Sequence, residues 1–357
     1  MKSLSELIKL ITLEKINEHT FIGKNYQAPW GRVFGGQVLA QSLHAAYQTI
    51  PEDRYAHSMH GYFILGGNID VPIKYEVDVI RDGGSFTTRR VVAFQNEKAI
   101  FNMSASFQLK QQGVNHQISM PNVFPPEELM DSHKQIEQFK DVIPDTYKRY
   151  KSFLPKVFEF KPVDNMLTKL VKNSPPFDNI WFKTCEKLAT NIPLQHQLLA
   201  YASDYNILRP ASMPHREFLN SKEVFYTSLD HAIWFHRDFD ISEWLLYAID
   251  SPSASNSRGF SRGSVFDSKG NLIASGSPAD GDALYTYLAG THVANGQTVD
   301  NYVVVGETYT FKYKLSEQVF KAGDKDPTRM ARYQLRSVLL NYTDTGSFDV
   351  TVSSTGR

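Results

Sequence analysis

The chain reads as an α+β protein in which one antiparallel unit occurs twice. Three observations carry this. First, a helical pattern at 37–48 is followed by strand patterns at His57–Leu65, Ile73–Arg81, Phe86–Gln95 and Lys98–Leu109, with turns such as Asp82-Gly83-Gly84 between them. Second, another helical pattern at 194–206 also precedes its strands. Third, a shift of 172 residues lays Phe63 on Phe235, Arg90 on Arg262 and Phe94 on Phe266. Each unit would leave an open sheet edge, and side-by-side pairing of the two sheets removes two such edges. The expectation is two buried helices, each wrapped by its own sheet, with the sheets joined edge to edge.

In chain order, residues 1–20 predict an amphipathic opening helix, and Phe21–Ala28 an edge strand. Gly35-Gly36 then precedes the first long helix, whose apolar stripe uses Val38, Leu39, Ser42, Leu43 and Tyr47. Glycines at that point leave the helix N-terminal amides open to another group, where the helix dipole favours negative charge. They also allow close helix-to-sheet packing, and the two readings are compatible. Residues 111–165 differ in character, with Pro121, Pro125-Pro126 and Pro144 between charged stretches. They predict a connecting segment around the outside, partly helical at 126–153 and docked by Phe124, Tyr147, Tyr150 and Phe153. The second long helix has the stripe Leu194, Leu198, Leu199, Ala202 and Tyr205. A loop with two prolines leads from it to a strand-like run, Val224–Phe235.

Composition excludes several classes. The 38 basic and 38 acidic residues cancel, so nothing in the charge favours nucleic acid or a membrane surface. Cys185 is the only cysteine, which rules out an intramolecular disulfide and a cysteine-built zinc site. That usage fits a reducing, cytoplasmic setting, and no metal or cofactor is expected. No apolar run approaches bilayer length, and MKSLSELIKLITLEKI carries acids within an amphipathic pattern, unlike a signal peptide. The ending Ser354-Thr355-Gly356-Arg357 is not a peroxisomal SKL-type address.

Several segments together carry a family likeness. They are GRVFGGQVLAQSLHAAYQTIPED (31–53), HSMHGYF (57–63), RDGGSFTTRRVVAFQN (81–96), IFNMSASFQ (100–108), LLAYASDYNIL (198–208), LDHAIWFHR (229–237), EWLLYAIDSPSASNSRGFSRG (243–263) and GNLIAS (270–275). In this order, over about 275 residues, the chain resembles acyl-CoA thioesterase II. The resemblance implies a double hotdog fold, two curved antiparallel sheets each wrapped around one helix. It also implies hydrolysis of fatty acyl-CoA to free acid and CoA, with acyl-CoA as partner and a homo-oligomer as the assembly. The expected boundaries are 1–110 and 166–278 for the two hotdog units and 111–165 for the connection, with 279–357 a β-rich extension of foreign origin.

Asp204 falls near the end of the second helix in an otherwise apolar, small-residue run. A carboxylate there is costly to bury unless it is hydrogen-bonded or put to use. Read from the residues alone, it either caps the chain end or belongs to a site with Ser228, Asp230, His231 and His236. The resemblance assigns Asp204 to the acid that holds and activates the hydrolytic water, and Ser228 to the hydroxyl that also binds it. Gly35, Gly36 and His231 are expected at the substrate, His231 having the alternative of a core histidine. On a continuous strand Ser228 and Asp230 share one face, with Leu229 and His231 on the other. Ser228 and His231 should then not meet at one water unless the strand is bulged. No G-x-S-x-G elbow occurs, which argues against a serine α/β-hydrolase. A hydratase would want an acid and a histidine close together on the helix, whereas His196 lies two turns from Asp204.

The chain departs from the family where the last strand should continue through a Gln-Glu-Gly step. Here it reads Leu272-Ile273-Ala274-Ser275-Gly276-Ser277-Pro278, and Pro278 offers no side-chain amide. Proline also lacks a ladder donor. A weakened thioesterase is therefore expected, and a non-catalytic or structural protein is the alternative. Beyond residue 279 the pattern alternates at Tyr309–Leu315, Val338–Tyr342 and Phe348–Val352, with turns at Gly323-Asp324 and Thr345-Gly346. The stretch ARYQLRSVLLNYTDTGSFDVTV (331–352) is similar to the C-terminal part of podovirus tail tubular protein B, a structural protein of the tail tip.

Overall fold

A computed structural model describes residues 1–277 except 2, 189–190 and 220–222, together with 282–283, 285–287, 292–294, 297–299, 319–320 and 328–329. The chain divides into a unit at 1–304 and a second at 305–357. In the second, Val319–Phe320 pairs with Thr328–Arg329, and the turn expected at Gly323-Asp324 lies outside the described residues. The alternating stretches 309–315, 338–342 and 348–352 lie outside the described residues, as does Pro278.

The first unit opens with α1 (Leu4–Ile11), β1 (Glu14–Lys15) and β2 (Thr20–Gly23). Helix α1 is thus shorter than the amphipathic pattern, and β1, not the Phe21 segment, forms the sheet edge. Then come α2 (Gly35–Tyr47), β3 (Arg54–Phe63), β4 (Ile73–Asp82), β5 (Phe86–Gln95) and β6 (Lys98–Leu109). Helix α2 includes the two glycines expected to precede it. The connecting segment holds α3 (Ser132–Glu137) and α4 (Pro144–Phe153), and β7 (Phe158–Pro162), α5 (Met166–Val171) and β8 (Phe177–Thr184) follow. The second half continues with α6 (Ile192–Ser203), α7 (Arg209–Ser212), α8 (Arg216–Leu219), β9 (Glu223–Phe225), β10 (Asp230–Phe235), β11 (Leu245–Ser255), β12 (Arg258–Asp267) and β13 (Leu272–Ser277).

All of these strands except β9 form one antiparallel sheet in the order β1-β2-β4-β5-β6-β3-β10-β13-β12-β11-β8-β7, and β9 pairs with Tyr285–Tyr287. The order on one side of the β3–β10 junction, β3-β6-β5-β4-β2, is matched on the other by β10-β13-β12-β11-β8. At the junction His60 pairs with Ala232, its own counterpart under the 172-residue shift. A residue opposite its own duplicate marks a twofold relation, so a pseudo-twofold axis passes through this pair. The duplication extends to ion pairs. Arg90 Nε donates to Asp78 at 2.7 Å, and Arg262 Nε donates to Asp250 at 3.0 Å, each across neighbouring strands. Both pairs are solvent-exposed and add little stability. They identify register.

Helices α2 and α6 pack against each other inside the two curved halves of the sheet, as a double hotdog requires. α2 is buried on all sides, including Gln37, Gln41 and Ser42. Buried amides need partners, and Gln41 finds them. Its Nε2 donates to the carbonyls of Leu10 and Lys24, and its Oε1 accepts from Tyr75 Oη at 2.6 Å. The connecting segment docks on the outer face of the second half, with Met120, Val123 and Leu129 against Trp181, Leu246 and Phe266. The Phe124 side chain is exposed instead, and only its carbonyl engages, accepting from Trp181 Nε1 at 2.9 Å. Tyr147 and Tyr150 pack as expected, against Ile136, Phe139, Met166 and Leu170. Phe153 lies on a helix whose side chain there is outside the described set.

Helices α7 and α8 and strand β9 have no counterpart in the first half, where residues 48–53 suffice between helix and strand. This insertion is anchored by the fully buried Asp178 of β8, which accepts from Lys169 Nζ at 2.8 Å and Arg209 Nε at 2.6 Å.

Candidate active site

The two central helices run antiparallel. Tyr47 meets His196 at one end, with His44 meeting Gln197 one turn in, and Gly36 meets Asp204 at the other end. Asp204 is the C-cap of α6. α2 has no side-chain cap of its own, and Asp204 supplies one from the neighbouring helix, its Oδ2 accepting the Gly36 N–H at 2.9 Å. A carboxylate at a helix N-terminus satisfies an orphan amide and meets the favourable end of the dipole. Both glycines are needed for this approach. A Cβ on Gly35 would lie 2.7 Å from Asp204 Oδ2, and one on Gly36 would lie 2.3 Å from the Tyr201 carbonyl. The close packing expected at the glycines is helix against helix and, at Gly35, also helix against sheet, since its Cβ would lie 3.0 Å from the Phe63 ring of β3.

Ser228 does not lie on a strand. The run Val224–Phe235 breaks between β9 and β10, and residues 226–229 form a connection. Strand parity therefore does not separate Ser228 from His231, and both reach the same carboxylate oxygen. Ser228 Oγ donates to Asp204 Oδ1 at 3.3 Å, and His231 Nδ1 lies 4.0 Å from that oxygen. Asp230 and His236 do not join them, and His236 Nε2 is instead 2.8 Å from Ser275 Oγ.

The electrostatics follow from burial. The Asp204 side chain is 7% exposed, and desolvation raises its pKa to about 6, against the lowering pull of the Gly36 N–H and the Ser228 hydroxyl. Burial lowers His231 to about 4, so its imidazole is neutral at pH 7. Ser203 Oγ, 3.0 Å from His231 Nε2, is a partner that the sequence pattern did not single out. Its only signal was its place beside Asp204 in LLAYASDYNIL. Leu199, Ile233, Tyr247 and Val265 close the space behind His231. A cleft of about 650 Å³ lies elsewhere, on the other face of the sheet beside Trp234 and Arg262. It touches none of Asp204, Ser228 or His231.

The opposite end of the helix pair is closed. The counterparts of Ser228 and His231 under the 172-residue shift are Ala56 and Met59. Gln48 caps α2 where Asp204 caps α6, and α6 begins with a proline in its first turn. Tyr47 Oη accepts the Ala56 N–H and meets His196 Nδ1, both at 2.8 Å, while His196 stacks on Phe235 at 4.2 Å between ring centres. His196 is thus committed to the far end and unavailable to Asp204, as a hydratase would require. Each chain carries one acidic end among its described residues.

Comparison with known proteins gives the family. The acyl-CoA thioesterase N-terminal domain matches residues 26–108, and the acyl-CoA thioesterase family matches 171–286. Acyl-CoA thioesterase 2 of Haemophilus influenzae is 38% identical over 274 residues, covering 76% of this chain and 94% of that protein. Acyl-coenzyme A thioesterase 8 of Homo sapiens is 37% identical over 272 residues, covering 74% and 84%. Among solved structures, an acyl-CoA thioesterase II from Mycobacterium marinum superposes with a TM-score of 0.64 at 32% identity, covering 78% of this chain and 97% of that one. A hot dog fold protein from Alicyclobacillus acidocaldarius gives 0.62 at 16% identity over 77% and 96%, which supports the fold alone. Residues 254–357 match the bacteriophage nozzle protein family, in line with the likeness of the C-terminal stretch to a tail protein. The chain belongs to the acyl-CoA thioesterase II family.

Proposed function

We propose that the chain hydrolyses fatty acyl-CoA to free acid and CoA with a water activated by Asp204 and Ser228, while Gly35, Gly36 and His231 frame the entering thioester. The observation that carries this is the convergence of Ser228, His231 and the Gly36 amide on one buried carboxylate. A base whose pKa lies near 6 is ionised at pH 7 yet basic enough to take a proton from water. The water oxygen bonds to the thioester carbon while Asp204 takes one of its protons. The tetrahedral intermediate then expels CoA, the C–S bond breaking and the sulfur receiving that proton. The remaining hydrogen leaves with the acid, which ionises. The positive end of the α2 dipole favours the developing oxyanion.

In this reading 1–110 and 166–278 are the hotdog units, 111–165 joins them, and 279–357 is an extension of separate origin. The enzyme works in the cytoplasm as a homo-oligomer. Because Pro278 stands near the expected glutamine, turnover is reduced and not abolished. Strand β13 favours retained activity, since Gly276 pairs with both Ile233 and Gly263. A non-catalytic or structural protein, either a degenerate scaffold or a phage tail-related fusion, is the competing reading, favoured by the missing amide and by the nozzle-family match of residues 254–357. Incubation with a medium-chain acyl-CoA, following free thiol, decides between them. Thiol release above the uncatalysed rate is expected, and none at high protein concentration would leave the scaffold reading.

A further inference from the structure

The hydrogen bonds around His231 are all satisfied when the ring proton sits on Nε2. Ser203 has one hydroxyl hydrogen, and it is donated to the Ala200 carbonyl at 2.9 Å. Towards His231 Nε2, 3.0 Å away, Ser203 can therefore only accept. The proton of the neutral ring lies on Nε2, and Nδ1 presents a lone pair. That Nδ1 is buried in a residue 3% exposed and has no hydrogen-bond partner. It faces Asp204 Oδ1, itself an acceptor, at 4.0 Å.

Two acceptors at that distance are too far apart to bond each other. A water bridging them would lie about 2.8 Å from each, entering as the side chains part, since Nδ1 has almost no accessible surface in this structure. We propose that His231 holds the hydrolytic water, its Nδ1 accepting one hydrogen while Asp204 Oδ1 accepts the other. Both hydrogens of the water are then committed, and its lone pairs are left for the thioester carbon. Ser228 orients the arrangement from the other side, its hydroxyl donating to Asp204 Oδ1. The hydrogen given to Asp204 is the one removed in the reaction. The one held by His231 stays on the oxygen that becomes part of the acid. His231 thus supplies a water partner from the chain's own β10, additional to the one the missing glutamine would give. This rests on the proposed role of Asp204.

The two ring nitrogens are separated by complementary substitutions. His231→Gln places an amide nitrogen near Nε2, keeps the bond to Ser203 and leaves nothing at Nδ1. His231→Asn places an amide oxygen near Nδ1 and gives up Ser203. Thiol release from a medium-chain acyl-CoA is measured for both, with Asp204→Asn as control and thermal melting to verify folding. For His231→Gln the expected result is a fall in kcat of roughly a hundredfold at little-changed KM, the typical loss for one preorganised partner. His231→Asn should recover most of that loss even where it melts lower. Unchanged kcat in folded His231→Gln overturns the proposal, and so does a fall in kcat that tracks melting temperature across both variants. If Asp204→Asn keeps full activity, the base assignment itself fails. A dead Asp204→Asn beside an unimpaired His231→Gln removes only the role of His231.

Discussion

Asp204 Oδ2 accepts the Gly36 N–H at 2.9 Å, so the residue that ends one buried helix caps the first turn of the other. The bond joins the two halves of the duplication at the point where the chemistry is proposed. Adjacent glycines there have separable roles. Gly35→Ala puts a methyl 2.7 Å from a side-chain oxygen of Asp204, which can shift. It should lower kcat with a small change in melting temperature. Gly36→Ala puts a methyl 2.3 Å from the main-chain carbonyl of Tyr201, which cannot shift alone. It should cost about 1–3 kcal/mol of stability, read by urea denaturation.

Protonation links the site to stability. Asp204 has its pKa raised from 3.8 to about 6, so between those values the folded state holds a proton that the unfolded state has lost. Its contribution therefore weakens as pH rises through that window, by roughly 3 kcal/mol in total. His231 and His196 act in the opposite sense. Burial lowers them from 6.5 to about 4 and about 3, so their stabilisation is full above 6.5 and is lost as pH falls. Asp204→Asn removes only the first effect. The variant should match or exceed the native chain in stability at pH 7 and lose stability more steeply between pH 6 and pH 4. Parallel curves for the two proteins would show that Asp204 is not desolvated. In the native enzyme, kcat/KM should fall below about pH 6 as the base takes up its proton.

The closed end of the helix pair gives a contrasting prediction. Tyr47→Phe leaves the Ala56 N–H and His196 Nδ1 without the hydroxyl between them. A loss of about 1–3 kcal/mol is expected from unsatisfied buried groups. Turnover per folded molecule should not change, which thiol release normalised to folded protein would check.

Restoring the family ending after Ser275, glutamine included, adds one partner for the water. Turnover should rise about a hundredfold, as typically lost with one preorganised donor. A repaired chain no faster than the native one would mean that the existing partners already suffice.

Much of this architecture was legible because its signals are local. Phe86–Gln95 and Lys98–Leu109 occur as their alternation predicts, and Asn96 and Glu97 between them adopt the positive φ of a tight hairpin. The buried faces of Gln37 and Gln41 were not legible, since a helix wrapped on all sides loses the polar stripe that periodicity relies on. Asp204 could be singled out because an acid in an apolar run is conspicuous. The geometry of Ser228 could not, because Val224–Phe235 is rich in aromatic and β-branched residues on both sides of the point where the strand is interrupted. The Ser203–His231 contact spans 28 residues and depends on where the insertion after α6 returns the chain.

The central claim is that Asp204 activates the water. Its most direct test is the rate of free-thiol release from a medium-chain acyl-CoA by native protein and by Asp204→Asn at pH 7, with melting temperatures recorded. A fall of roughly two to four orders of magnitude at unchanged or raised melting temperature is predicted. Equal rates in the two proteins would contradict it.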